Sequence, residues 1–185
     1  MPKGLKPGLI CITDASGNEG ERGGFCPPDA MTHKEKALDY YSRGFHCSQA
    51  IAAAWAEECG LTEKQALMLG ACLGSGMRKG EVCGACTGAL MVLGLLYGQY
   101  DKADPDSRMT ANEVNDKMMN GFAEKCGSYV CRDLLGCDIS AKEGVAYARE
   151  HRLFTEFCPQ MVAAAADVLE KIIAEQTAKK REKDI

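Results

Sequence analysis

Residues 83–97 read CGACTGALMVLGLLY, a run in which no side chain is charged unless its two thiols ionise. A helix that is apolar on every side is typical of the centre of a protein. At ~1.5 Å per residue the run spans about 22 Å, and it is shorter than the roughly 20 apolar residues of a membrane span. The stretch therefore predicts a buried central helix around which the rest of the chain packs.

Two glycines, Gly84 and Gly88, lie four residues apart on one face of this predicted helix. Each glycine inside a helix costs about 1 kcal/mol relative to alanine. A sequence that accepts this cost twice indicates that something approaches the backbone closely at this face. We expect the neighbour to be another helix or a bulky inorganic group.

Helix-start signals recur on both sides of the central stretch. Capping boxes, in which side chains three residues apart bind free backbone N–H groups, mark four of these starts. The pairs are Thr32 and Glu35, Thr62 and Gln65, Thr110 and Glu113, and Ser140 and Glu143. Pro159 suits the first position of a last helix that runs to about residue 180. No strand pattern competes, so we predict an all-α fold, a compact bundle of about six to eight helices.

The composition divides the chain into three parts. Residues 1–30 are rich in Gly, Pro, Ser, Asp and Asn and have no apolar period, which predicts a disordered or loosely ordered N-terminal extension. Residues 31–180 are expected to form a single helical domain, and residues 181–185 a charged tail.

Charge and hydropathy exclude several function classes. The net charge of −4 and the lack of basic runs within the domain argue against nucleic-acid binding. No stretch is long and apolar enough for a membrane span. The N-terminus lacks the apolar segment of a secretory signal, so we expect a cytoplasmic protein. The sequence leaves open whether the chain forms homo-oligomers.

Eleven cysteines are many for 185 residues, and their odd number argues against a disulfide framework. In a reducing compartment such richness indicates metal binding or redox chemistry. Four of them are predicted at or near helix N-termini: Cys47, Cys83, Cys131 and Cys158. The positive end of the helix dipole and its free N–H groups stabilise a thiolate, so we expect lowered thiol pKa values there. The alternative is that all four are small buried residues.

These four cysteines also carry a resemblance to a known family. The order of Cys47, the segment Cys83-Gly84-Ala85-Cys86-Thr87-Gly88, Cys131 and Cys158 resembles the bacterial and archaeal family C_GCAxxG_C_C of redox-active proteins. Members carry four cysteines and a CGAxxG motif. The resemblance extends from about Thr32 to Lys171 and does not include residues 1–30.

The resemblance implies a function and a cofactor. The family is similar to the iron-containing domain of split-Soret cytochromes, which implies an iron–sulfur cluster or another non-haem iron centre. Cys47, Cys83, Cys131 and Cys158 would then be the cofactor and metal ligands, and the function electron transfer or redox sensing with another redox protein as partner. Haem is not expected, because Thr87 follows Cys86 where the C-x-x-C-H attachment motif needs histidine.

Two other functions remain open from the sequence. Cys83 and Cys86 form a C-x-x-C at a helix start, as in thiol–disulfide oxidoreductases. A structural zinc module that recruits a partner is the other alternative. The spacings of 36, 48 and 27 residues between the four cysteines disfavour it, because most structural zinc sites use paired C-x-x-C knuckles. No acid–base set or substrate motif indicates whether the protein is an enzyme.

The remaining cysteines have less defined roles. Three roles remain open for Cys86 from the sequence: a catalytic thiol, an additional ligand or a core residue. Cys126 and Cys137 flank the Cys131 segment and are candidate ligands. Cys59 and Cys72 are expected to pack as small hydrophobic residues.

Overall fold

Eight α-helices make up most of residues 31–183, the part of the chain that the structure, a computed structural model, describes. They are α1 (His33–Ser42), α2 (Cys47–Ala54), α3 (Glu63–Gly70), α4 (Gly84–Tyr97), α5 (Pro105–Cys126), α6 (Cys131–Leu135), α7 (Lys142–Glu150) and α8 (Cys158–Lys183). No strand occurs within these residues, so the all-α prediction is confirmed. The predicted extension of residues 1–30 lies outside the described residues.

Helix α4 is the central helix, as predicted. It contacts α2, α5 and α8, and the buried residues of its first two turns include Gly84, Cys86 and Gly88. The prediction of burial on every side is wrong near its C-terminus, where Leu95 is 48% exposed. The three neighbouring helices cover only part of the surface of the last turn. None of the helices in residues 31–183 is long and apolar enough to cross a membrane.

The close approach expected at the glycine face is made by helix α2. A Cβ added at Gly88 would lie 2.8 Å from the Ser48 carbonyl oxygen and 3.0 Å from Ile51 Cβ. Ser48 and Ile51 of α2 can pack directly on the α4 backbone because Gly88 has no side chain. This crossing fixes the start of α2 against the start of α4.

The capping boxes predicted two helix starts correctly and two incorrectly. Thr32 and Thr62 cap α1 and α3 as predicted. Helix α5 begins at Pro105 rather than near Thr110, because Asp104 accepts a hydrogen bond from the Ser107 backbone N–H and proline suits the first helical position.

The other incorrect start belongs to helix α7. The Asp138 carboxylate accepts a hydrogen bond from the Ser140 backbone N–H, which holds Ser140 in a turn. The residue that precedes the helix is then Ala141, and no side chain caps this end. At the other end of the chain, α8 continues to Lys183, so residues 181–183 of the predicted tail are helical.

Candidate functional site

The starts of four helices meet at one cavity. Cys47, Cys131 and Cys158 are the first residues of α2, α6 and α8, and Cys83 is the N-cap of α4. The prediction that these four cysteines lie at helix N-termini is therefore confirmed. All four line the same cavity of about 1010 Å³. The cysteines come from distant parts of the chain, so the tertiary fold brings them together.

A short backbone bridge holds Cys83 beside Cys131. The Cys83 N–H donates to the Tyr129 carbonyl oxygen at 2.8 Å, and the Cys131 N–H donates to the Glu81 carbonyl oxygen at 2.6 Å. Arg132 strengthens the bridge, because its guanidinium donates to the Gly80 carbonyl oxygen at 3.2 Å and pairs with the Glu81 carboxylate. The five-residue α6 is thereby attached to the turn that precedes α4.

The thiol of Cys47 lies against the backbone of α4. A Cβ at Gly84 would collide with the Cys47 sulfur and lie 3.1 Å from the Leu73 carbonyl oxygen, so only glycine leaves room for the thiol. Hydrogen bonding from the Cys83 thiol lowers the pKa of Cys47 to about 7, although burial opposes the shift. Backbone N–H groups of Ser75 and Ser48 lower this pKa further.

The pKa values of the other three thiols are raised, whereas the sequence predicted lowered values. Hydrogen bonding to Cys47 and burial raise the pKa of Cys83. Burial and repulsion from neighbouring thiolates raise the pKa of Cys131 to about 12 and that of Cys158 to about 11. The lowered pKa values predicted for these three are thus wrong, because burial outweighs the helix N-terminus. Cys47 contributes to the raised pKa of each of the other three, so its thiol lies near all of them.

Tyr41 is a part of the site that the sequence did not identify. Its hydroxyl donates a hydrogen bond to the Phe154 carbonyl oxygen at 2.7 Å and contacts Cys158. Burial raises the pKa of Cys158, and the adjacent Tyr41 hydroxyl partly offsets this effect. The local sequence does not distinguish Tyr41 from Tyr40 beside it, so no sequence signal could have identified Tyr41.

Within residues 31–183, the cysteines outside the four-cysteine set do not line the cavity. Cys86 is fully buried, and its thiol contacts the Met119 sulfur at 3.5 Å. The predicted Cys83–Cys86 dithiol stays a prediction, and the thiol that most affects the pKa of Cys83 is that of Cys47. Cys137 lies near Cys131 and donates weakly to the Gly144 carbonyl oxygen at 3.7 Å.

The donor set, four thiols around one cavity, suits a soft metal. Thiolates are the ligands of iron–sulfur clusters and of many zinc sites. Among the described residues, no three His, Cys, Asp or Glu side chains are close enough together to hold one metal ion. Ligands of a cluster are more widely spaced than ligands of one ion, and the cavity is large enough for such a group.

A family model described as "Putative redox-active protein (C_GCAxxG_C_C)" matches residues 45–172, about two thirds of the chain, and the match includes all four cavity cysteines. The chain belongs to this family. The family description gives redox activity as the general function and names no cofactor. No curated protein and no solved structure matches the chain.

Proposed function

We propose that this C_GCAxxG_C_C protein is an electron-transfer or redox-sensing protein whose centre is an iron–sulfur cluster held by Cys47, Cys83, Cys131 and Cys158. The observation that supports the proposal most is that four helix-start cysteines, and no other described cysteine, line one cavity. A cluster bound there would supply a reversible one-electron couple.

The chain would contribute charge balance and hydrogen bonds. Three of the four thiols resist ionisation because they are buried beside one another, and positively charged iron offsets that cost. Backbone N–H groups around Cys47 and Cys83 donate to sulfur, and such hydrogen bonds tune the potential of a cluster. Apolar side chains in the cavity wall, among them Ile139 and Phe154, would reduce the contact of a bound cluster with water.

Anaerobic purification followed by iron and sulfide analysis tests this proposal. We expect similar amounts of iron and acid-labile sulfide and a visible charge-transfer absorption that bleaches on chemical reduction. A colourless protein that holds zinc, or no metal after reconstitution with iron and sulfide, would contradict it.

A thiol–disulfide oxidoreductase is the second candidate, and the pairing of Cys47 with Cys83 favours it. The Cys47 thiolate would attack a substrate disulfide and release one thiolate of the substrate. The Cys83 thiolate would then attack the mixed disulfide, so that the substrate gains two electrons and the pair becomes a disulfide. This candidate predicts disulfide reductase activity that survives Cys131→Ser and Cys158→Ser, whereas the cluster requires both residues.

A further inference from the structure

The cavity is larger than four cysteines require, and its lining includes charged residues that have no role in the four-cysteine site. Its volume of about 1010 Å³ is at the upper end of the range for drug-sized ligands. Apolar side chains form most of the wall, with Leu38, Leu135, Val145 and Met161 among them. Such a wall is typical of a pocket for an organic molecule.

The charged residues of the cavity lining all have one sign. Arg78, Lys142 and Arg149 line the cavity, and the lining includes no aspartate or glutamate. This asymmetry contrasts with the whole chain, which has 26 acidic and 22 basic residues. All three basic residues are exposed, so their charges lie at the rim.

Nothing in the described part of the chain neutralises these three cations. None of them forms an ion pair there, whereas other basic residues such as Lys117, Lys125 and Arg132 do. The rim charges therefore remain available to a ligand.

The start of helix α7 adds hydrogen-bond donors to the same rim. Ser140, Ala141 and Lys142 line the cavity at the N-terminus of this nine-residue helix. Ala141 has no side chain that can accept the free backbone N–H groups of the first turn. Free N–H groups at a helix N-terminus favour anions.

We infer that the cavity binds a small organic anion whose apolar body enters between the walls and whose acidic group pairs with Arg78, Lys142 and Arg149 at the rim. The site shares its cavity with the proposed redox centre, but it uses the rim and the walls rather than the sulfurs. Binding of this ligand does not require that a cluster is present.

Calorimetry with a matched pair of probes tests the inference. The probes are 2-naphthoate and its uncharged amide, 2-naphthamide, titrated into the full-length protein purified anaerobically at low ionic strength. We expect 2-naphthoate to bind about tenfold more tightly than the amide, with an affinity that falls as salt is added. Equal affinities for the two probes, or no binding of either, would overturn the inference.

Variants at the rim test where the acid binds. Arg78→Gln, Lys142→Gln and Arg149→Gln should each weaken naphthoate binding about two- to fivefold, in the range of exposed ion pairs, and leave naphthamide binding unchanged. Arg108→Gln and Lys180→Gln, which replace exposed cations outside the cavity lining, are the matched controls. An equal loss in the controls, or an equal loss for both probes, would contradict the assignment.

A cysteine variant separates this inference from the proposed function. Cys158→Ser should lose iron if the cluster proposal is right and should still prefer naphthoate to the amide. If the wild-type protein holds no iron but prefers naphthoate, the cluster proposal fails and the anion site stands. If it holds iron and shows no preference, the anion site fails alone.

Discussion

Cysteines at the starts of helices and cysteines at the ends of helices differ in this protein in both position and surroundings. Cys47, Cys83, Cys131 and Cys158 lie at helix starts and line one cavity. The second group lies at or beyond helix C-termini: Cys59 after α2, Cys72 after α3, Cys126 at the end of α5 and Cys137 after α6. None of this second group lines the cavity.

The comparison shows what helix polarity contributes to a sulfur site. A helix start offers free N–H donors to a thiolate, and a helix end offers carbonyl oxygens, which repel it. Cys86 is the informative exception, because it lies in the first turn of α4 but faces the core and Met119. A helix start is therefore not sufficient, and the side chain must also face the cavity.

The largest expected difference is in the thiol reactivity of one member of each group, Cys47 and Cys59. The Cys47 pKa of about 7 makes half of this thiol ionised at pH 7, whereas burial holds the Cys59 pKa near 11. The larger thiolate fraction speeds the reaction of Cys47, and the lower nucleophilicity of a thiolate with a low pKa offsets part of this gain. The net expectation is that Cys47 reacts with iodoacetamide about 100-fold faster than Cys59 at pH 7. Peptide mass spectrometry of the reduced, metal-free protein measures both rates.

The same labelling experiment, repeated across pH, shows whether Cys47 ionises at a lower pH than Cys59. Labelling of Cys47 should rise through pH 7 and level off above pH 8, and labelling of Cys59 should still be rising at pH 10. Similar midpoints for Cys47 and Cys59 would show that the surroundings of Cys47 do not stabilise its thiolate.

A smaller effect is expected from methyl groups added to helix α4. Gly84→Ala should destabilise the protein by about 3 kcal/mol and lower its iron content, because the new Cβ collides with the Cys47 sulfur and with backbone atoms. Gly94→Ala on the same helix meets nothing within 4 Å, and it should instead stabilise the protein by up to about 1 kcal/mol. Denaturant unfolding measures both, and equal effects of the two changes would refute the close approach at Gly84.

The smallest effect is expected at Cys86, where stability and metal binding should separate. Cys86→Ser places a hydroxyl in a fully buried position beside Met119, which should cost about 1–2 kcal/mol and leave the iron content unchanged. Cys72→Ser is the control, because Cys72 is exposed and its replacement should change stability by less than about 0.5 kcal/mol. Loss of iron in Cys86→Ser would assign Cys86 to the centre.

Local signals in the sequence predicted the helices and the positions of the cavity cysteines. The uncharged run from residue 83 identified the central helix, and the glycine at 84 indicated a close approach. Thr32 and Thr62 identified the starts of α1 and α3 because capping depends only on residues three apart.

Features that depend on packing could not be predicted in this way. The raised pKa values of Cys131 and Cys158 follow from burial, which local sequence does not specify. The pairing of Cys47 with Cys83 depends on the crossing of α2 and α4 at Gly88. The cationic rim combines residues 78, 142 and 149, which are separated along the chain and carry no motif.

The most direct test of the four-cysteine centre compares the iron contents of two serine variants, one at each end of the α5–α6 connection. Cys126 ends α5 and Cys131 begins α6, so the two residues are near in sequence and opposite in helix polarity. After identical anaerobic reconstitution, Cys131→Ser should lose most of its iron and its charge-transfer absorption, and Cys126→Ser should keep both. Full iron content in Cys131→Ser would contradict the four-cysteine centre.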